Sequence, residues 1–454
     1  MDNNLLRKYN VPGPRYTSYP TVPYWEDIAP TQEQWMDHVS SAFKISDAKG
    51  EGISLYLHLP YCEKLCTYCG CNKRITINHH VEDPYITTLL QEWRLYQELF
   101  GKAPLIQEIH LGGGTPTFFS PSNLKRMMEG IFYGSRLAED AELSFEGHPN
   151  NTSREHLQTL YDLGFRRVSF GIQDFDEEVQ RVINRIQPYK NVEQVTQWAR
   201  EIGYESVNYD LIYGLPKQTM SSVINTIQKS NFLKPDRIAF YSYAHVPWNS
   251  PGQRAYTEAD LPKDEEKRAL YEVGKQLFEE AGYVEIGMDH FALKSDKLYT
   301  AAQNLELHRN FMGYSTNATR LMVGLGCSSI NDTWTAFGQN LKKVEDYRSA
   351  VEKGQFPIFR GHLLTEEDLI LRKHILDLMC RFRTNISAEA LLKFKLLEAK
   401  ERLKELAQDQ LIQLDQDSIQ VHEAGKPFIR NICMALDARL WRNKPQTQLF
   451  SSTI

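Results

Sequence analysis

Six short apolar runs, rich in β-branched and aromatic residues, recur between residues 53 and 247 with helix-forming stretches between them. They read ISLYLHLP (53–60), IQEIHLGGG (106–114), ELSFEGHP (142–149), RRVSFGIQD (166–174), SVNYDLIYGLP (206–216) and RIAFYSYAHVP (237–247). Segments such as NLKRMMEGIF and VEQVTQWAREIG, lying between them, carry apolar residues at helical spacing. Strands alternating with helices predict an α/β fold around a parallel sheet, open or closed into a barrel. In such folds the ligand site gathers at the carboxyl ends of the strands. Polar residues mark those ends here: a cysteine cluster after the first run, GGGTPT after the second, and Glu146 closing the third. Gln173 and Asp174 close the fourth, and Asp210 lies inside the fifth. Buried polar groups need partners, and one shared site accounts for all of these together.

From about Thr365 the pattern changes. Thr365-Glu-Glu-Asp368 reads as a capping box before LILRKHILDLMCRF, followed by two further helices, SAEALLKF and KERLKELAQDQ, and by two short strands in LIQLDQDSIQVHEAG. That order suggests a compact helical module of winged-helix type. Winged helices often bind DNA, but a net charge of -6 lacks the basic footprint of a nucleic-acid binder, so a structural or lid role is expected. The expected division is a segment over 1–50 closing over the site, a barrel with its extension over 51–364, and the helical domain over 365–454. No apolar run approaches the ~18 residues of a membrane span, and MDNNLLRKYNVPGPRY is not an export signal. A cytoplasmic monomer is the expectation.

Four of the seven cysteines fall in CEKLCTYCGC (62–71); Cys327, Cys380 and Cys433 are scattered. An odd, clustered set argues against a disulfide framework and for metal binding. Thiolates suit zinc or iron–sulfur clusters. Structural zinc takes two separated ligand pairs, and no second pair exists here. Cys69 and Cys71 are too close in sequence to take two corners of one cluster, which leaves Cys62, Cys66 and Cys69 as three ligands and Cys71 with another task. Three ligands on a four-iron cluster leave one iron open.

C-x3-C-x2-C at the end of a first strand resembles the signature of radical S-adenosylmethionine (SAM) enzymes. Nearly the whole chain resembles the oxygen-independent coproporphyrinogen III oxidase family, through PRYTSYPT (14–21), the CxxxCxxCGC run, GGGTPT (112–117), GIQDF (171–175), DLIYGLPKQT (210–219), GMDHF (287–291) and LHRN (307–310). The resemblance implies a partial (β/α) radical SAM barrel, a [4Fe-4S] cluster, two SAM molecules per site, and a tetrapyrrole whose two propionates are oxidatively decarboxylated to vinyl groups. An electron donor and an electron acceptor outside the chain are implied as well. It places Gly113, Gly114 and Thr115 at the SAM amino group, and Gln173, Arg185 and Asp210 around its ribose and carboxylate; Glu146, a carboxylate at a strand end, suits a ribose or an ammonium. Tyr56 and Tyr68 stand near SAM, Cys71 stands near the substrate, and Ile212, Ala244 and Ile330 line the cofactor region, where core packing would explain the three equally well. Arg15, Lys64, Arg74, Arg309 and Arg320 are candidates for the substrate carboxylates. Two departures from the family pattern stand out: Gly147-His148 where Val-Asp is usual, and Met312 where glutamine is usual. A heme chaperone, a methyltransferase or heme-modifying relative, and a zinc adaptor are the alternatives to this reading.

Overall fold

The computed structural model describes the chain except residues 1–2, 27, 249, 387–396, 446–448 and 454. Its centre is one twelve-stranded sheet. The strands in chain order are β1 (Ile53–Leu59), β2 (Leu105–Gly113), β3 (Arg136–Gly147), β4 (Arg167–Gln173), β5 (Ser206–Tyr213), β6 (Arg237–Ser242), β7 (Tyr283–Gly287), β8 (His290–Leu293), β9 (Met322–Leu325), β10 (Ile330–Asp332), β11 (Ala336–Asn340) and β12 (Ile358–Leu363). They lie in the order β12-β11-β10-β9-β1-β2-β3-β4-β5-β6-β8-β7. The seven from β9 to β6 run parallel. Antiparallel strands extend both edges. All six predicted runs are parallel neighbours in sequence order, each joined to the next through a helix, which is the partial (β/α) barrel expected.

The period-two alternation of each strand sorts its side chains between two environments. Leu55 and Leu57, Ile109 and Leu111, Leu143 and Phe145, Val168 and Phe170, and Val207 and Tyr209 pack under the helices in the main core. The alternate residues face inward and are polar. Tyr56 is in register with His110, and His110 with Ser144. Glu146 aligns with Ser169, and Ser169 with Asn208. These inner groups bond to one another: His110 Nδ1 meets Ser144 Oγ at 2.8 Å, and Asn208 Nδ2 donates to Ser169 Oγ at 2.8 Å. The helix Gln32–Lys49 contributes Trp35, Val39 and Phe43 to the same main core.

Glu92, on the helix Glu82–Phe100, is fully buried. It accepts from Gly326 N–H, Asn340 Nδ2 and the Tyr347 hydroxyl at 2.7–2.8 Å, tying that helix to the β9–β11 edge. Burial pushes its carboxyl up to about 7. A raised acid holds its proton in the folded state after the unfolded chain has lost it, so stability declines as pH climbs from the unfolded value through 7. Urea unfolding should therefore give about 1–3 kcal/mol less stability from this group at pH 8 than at pH 5. Glu92→Gln should remove that part of the slope; equal slopes in the two proteins would refute it.

A second core gathers Tyr16 and Tyr19, Ile286 and Ala292, and residues of the C-terminal part such as Leu371, Leu403 and Ile432. The capping box is formed: Thr365 accepts from Asp368 N–H, and the Asp368 carboxylate accepts from Thr365 N–H. Arg439 also grips that carboxylate through two bonds of 2.7 Å. The helices Glu366–Arg381 and Leu397–Gln408 and the hairpin Ile412–Leu414/Ser418–Val421 are present. A third strand, Arg383–Asn385, pairs with the hairpin and was not anticipated. The expected helix SAEALLKF lies outside the described residues.

The two ends of the chain are joined. Gly13 N–H donates to Ser451 O, and Thr453 N–H donates to Val11 O. Arg430, buried on the helix Ile429–Leu436, donates to the carbonyls of Gly13, Pro14, Ser451 and Ser452. No helix among the described residues is long and apolar enough to cross a membrane.

Candidate active site

The cysteine loop leaves β1 and is closed at its base by a parallel pairing of Tyr61–Cys62 with Arg74–Ile75. Its carbonyls are occupied by donors from elsewhere in the fold and by Lys73 at the loop's own end. Asn184 Nδ2 donates to Leu65 O at 2.7 Å, Gln253 Nε2 to Tyr68 O at 3.1 Å, and Lys73 Nζ to Cys69 O at 3.0 Å and Cys71 O at 3.3 Å. A loop so held presents its thiols inward. Cys62, Cys66, Cys69 and Cys71 are free, and all four line a cavity of about 360 Å³ at the carboxyl ends of the strands.

The same cavity brings together Tyr68, Gly113, Gly114, Thr115, Glu146, Gln173, Arg185, Asp210 and Ile212. These come from five separate strands and loops, united as the sequence reading required. Four residues do not join them. Asp174 is fully buried off the lining, its carboxylate accepting from Gln218 Nε2 and the Thr226 hydroxyl. Tyr56 sits beside the cavity, its ring stacked on His110 and its hydroxyl 3.2 Å from His58 Nδ1. Ala244 stands outside the lining, its carbonyl accepting from the Gln253 amide that also holds Tyr68. Ile330 lies on β10, paired with Gln339 and also off the lining. Sequence reasoning missed Lys73, His148, Asn150, Asn184 and Tyr241 as lining residues and Gln253 as a brace. Only Gly147-His148 had been noticed, as a departure from a pattern.

The glycine turn is shaped by close approach. A Cβ on Gly114 would fall 2.6–2.8 Å from backbone atoms of Pro60 and Tyr61, and one on Gly113, at φ +114°, would meet the His58 ring at 2.6 Å. Bare backbone therefore fits here. Gly114 N–H donates to Leu59 O and Thr115 N–H to Tyr61 O. Thr115 Oγ1 donates to Cys62 Sγ at 3.4 Å.

Electrostatics divide the cavity. Burial raises the Glu146 carboxyl, but His110 and the Gly113 N–H outweigh it and hold that group below its ordinary value. Asp210 is pushed up to about 6 by burial and by Glu146. Its oxygens accept from Ser169 and Asn208. Burial pushes the Cys62 thiol up to about 11. Cys69 is drawn down by a hydrogen bond from Cys71 and by the nearby Lys73 charge. Arg185 Nη1 donates to Cys66 Sγ at 3.6 Å and Nη2 to Gly171 O, while its buried Nε has no partner among the described residues.

These groups fit an iron–sulfur cluster with a second ligand. Among the described residues no three His, Cys, Asp or Glu side chains could hold a single metal ion. The three thiols instead border a volume in the range of small-molecule sites. An Arg185 Nε without a hydrogen-bond partner among the described residues and the bare glycine turn lie beside them.

The fold is that of a radical SAM protein, and the family model for the radical SAM superfamily matches residues 56–229. The oxygen-independent coproporphyrinogen III oxidase of Escherichia coli strain K12 is 38% identical over 465 residues, covering 100% of this chain and 98% of that protein. Its Synechocystis counterpart is 38% identical over 462 residues, covering 99% of this chain and 97% of that one. The solved structure of the Escherichia coli coproporphyrinogen III oxidase, described as a radical SAM enzyme, superposes with a TM-score of 0.88 at 35% identity over 96% of this chain and 99% of that one. The chain belongs to the oxygen-independent coproporphyrinogen III oxidase family.

Proposed function

We propose that the protein is a radical SAM oxidoreductase that converts two propionate side chains of coproporphyrinogen III to vinyl groups, giving protoporphyrinogen IX in anaerobic heme biosynthesis. The observation that carries this is the single cavity joining three thiols to the glycine turn, in a chain alike over its full length to enzymes of that name. Cys62, Cys66 and Cys69 would hold the cluster. When bound, the cluster and SAM supply an adenosyl radical able to take a hydrogen atom from a propionate β-carbon. Loss of carbon dioxide and one electron then leaves the vinyl group, with donor and acceptor outside the chain.

The protein's own part is binding and exclusion of water. The Gly113–Thr115 turn and Glu146 offer a backbone edge and a carboxylate to the SAM ammonium. Gln173, Arg185 and Asp210 offer polar groups to the ribose and carboxylate, with Arg185 supplying the fork that suits a carboxylate. Cys71, exposed and on the cavity lining, is the thiol left over to meet the substrate. Tyr56 and Tyr68 support the SAM position, and Ile212, Ala244 and Ile330 complete its surroundings. Two SAM molecules, a cytoplasmic monomer, and division into segments 1–50, 51–364 and 365–454 go with this reading by family likeness.

The test is anaerobic. Protein reconstituted with iron and sulfide should, with reductant, SAM and coproporphyrinogen III, release two carbon dioxide units per porphyrinogen and form 5′-deoxyadenosine. Formation of 5′-deoxyadenosine with the porphyrinogen untouched would overturn the substrate and leave the radical chemistry standing.

A further inference from the structure

Of the five basic residues that the sequence offered for the substrate carboxylates, the structure singles out one. Lys64 is exposed. Arg74 is exposed and paired with Glu345. Arg320, half-buried, has only its Nε buried without a hydrogen-bond partner among the described residues, and its guanidinium lies 5.9 Å from the Trp334 ring. Arg15 is paired with Asp289. Arg309, 6% exposed, has no such carboxylate partner. Its Nε and Nη1 are buried without a hydrogen-bond partner among the described residues, and Nη2 reaches only the Arg15 carbonyl at 3.4 Å. The Tyr314 ring, 4.5 Å away, softens the charge from one face.

The surroundings carry an excess of positive charge. Two nearby carboxylates are already committed, Asp289 to Arg15 and Asp332 to Arg372, the latter through bonds of 3.0 and 2.5 Å. His290 and His308 are both pushed down to about 4, by burial first and then by the adjoining arginines, so neither adds nor neutralises charge at neutral pH. Three guanidiniums thus share two carboxylates. An uncompensated buried cation is among the most expensive groups a fold can hold, and such a group points to a missing anion.

The place of Arg309 says what that anion is attached to. It borders a cleft of about 20 Å³ shared with Thr17, Ser18 and Arg372, room for a group the size of one or two waters rather than a ring. Arg15, which lies against it, covers the face of Tyr241 at 5.7 Å, and Tyr241 is a wall of the SAM cavity. A side chain tipped with a carboxylate, reaching from a bulky body near that cavity, meets both constraints.

We propose that Arg309 binds a propionate carboxylate of the tetrapyrrole, one that anchors the macrocycle through a charge-assisted pair. The assignment rests on the tetrapyrrole reading above and deepens it.

The test uses the full-length protein, coproporphyrin III as a fluorescent probe, and its tetramethyl ester, which has the same ring and no charged carboxylates. Wild type should bind the free acid at least tenfold tighter than the ester. Arg309→Met should weaken the free acid tenfold or more and leave the ester where it was. Arg309→Lys, which keeps the charge and loses the fork, should fall between them. In the porphyrinogen reaction KM should rise more than kcat falls. Because the substitution removes an unpaired buried charge, the Met variant should melt at or above the wild-type Tm, whereas a purely structural arginine would lower it. Equal affinity of wild type and Arg309→Met for the free acid overturns the proposal. So does a parallel loss for acid and ester with a lowered Tm, or a loss of SAM binding with porphyrin affinity intact. A wild type that neither binds the porphyrin nor converts the porphyrinogen sinks the functional reading itself.

Discussion

Serine at Cys62, Cys66 or Cys69 is expected to leave a folded, colourless protein that forms no 5′-deoxyadenosine. The three thiols are only partly buried and make few contacts that the fold depends on. Replacing sulfur by oxygen at such positions should change stability by no more than about 1 kcal/mol. The chemistry should respond quite differently. A hydroxyl is a poor ligand for iron at neutral pH, and a three-ligand site has none to spare. Activity should drop more than about a thousandfold, which corresponds to at least ~4 kcal/mol of barrier. Iron and sulfide content after anaerobic reconstitution checks the cause independently of turnover. Cys71→Ser, by contrast, should load a full cluster, because Cys71 stands at the exposed rim. Loss of iron on changing Cys71, or its retention after changing any of the other three, would redraw the ligand set.

Gly114→Ala should be nearly as damaging, for a reason of shape. The added methyl would lie 2.6–2.8 Å from the backbone of Pro60 and Tyr61. Backbone cannot rotate away as a flexible side chain can, so the glycine turn and the base of the cysteine loop must move apart. Overpacking of this kind costs about 1–3 kcal/mol. The separation would break the Gly114–Leu59 and Thr115–Tyr61 hydrogen bonds and pull Thr115 from Cys62. A displacement near 1 Å in an active site can cost about a hundredfold in rate. We expect a lowered Tm, poor cluster retention and at least that loss of activity. Gly101→Ala is the control: that glycine, unlike Gly114, is left-handed, at φ +67°, but has no atom within 4 Å of its would-be Cβ, so it reports backbone strain without overlap. A Gly114→Ala protein with wild-type cluster content would mean the turn is not part of the seat.

The central fold was legible because its signal is local. Each strand announces itself by alternation, and each inner polar residue sits two positions from the next along the same strand. Glu146, Gln173 and Asp210 could be grouped in one site because each closes or interrupts an apolar run. The edges were not legible in this way. Strands β9 to β11 are three to five residues long, and Gly324, Gly326 and Gly338 in that region weaken any strand signal. The braces of the cysteine loop were invisible for a different reason. Asn184 and Gln253 act across 119 and 185 residues through backbone carbonyls, and no spacing rule links an amide to a distant peptide. Ala244 and Ile330 rested on family likeness alone, and neither is part of the cavity wall.

The clasp at the chain ends has a consequence in time. Val11 and its partner Thr453 are 442 residues apart, and a ribosome adds roughly 5–20 residues per second. The segment carrying Arg15, whose guanidinium rests on a wall of the cavity, therefore emerges tens of seconds before the tail that fastens it. The barrel strands can pair while that segment is still loose. The pairing of residues 11–13 with 451–453 therefore closes only after every strand of the main sheet has been made.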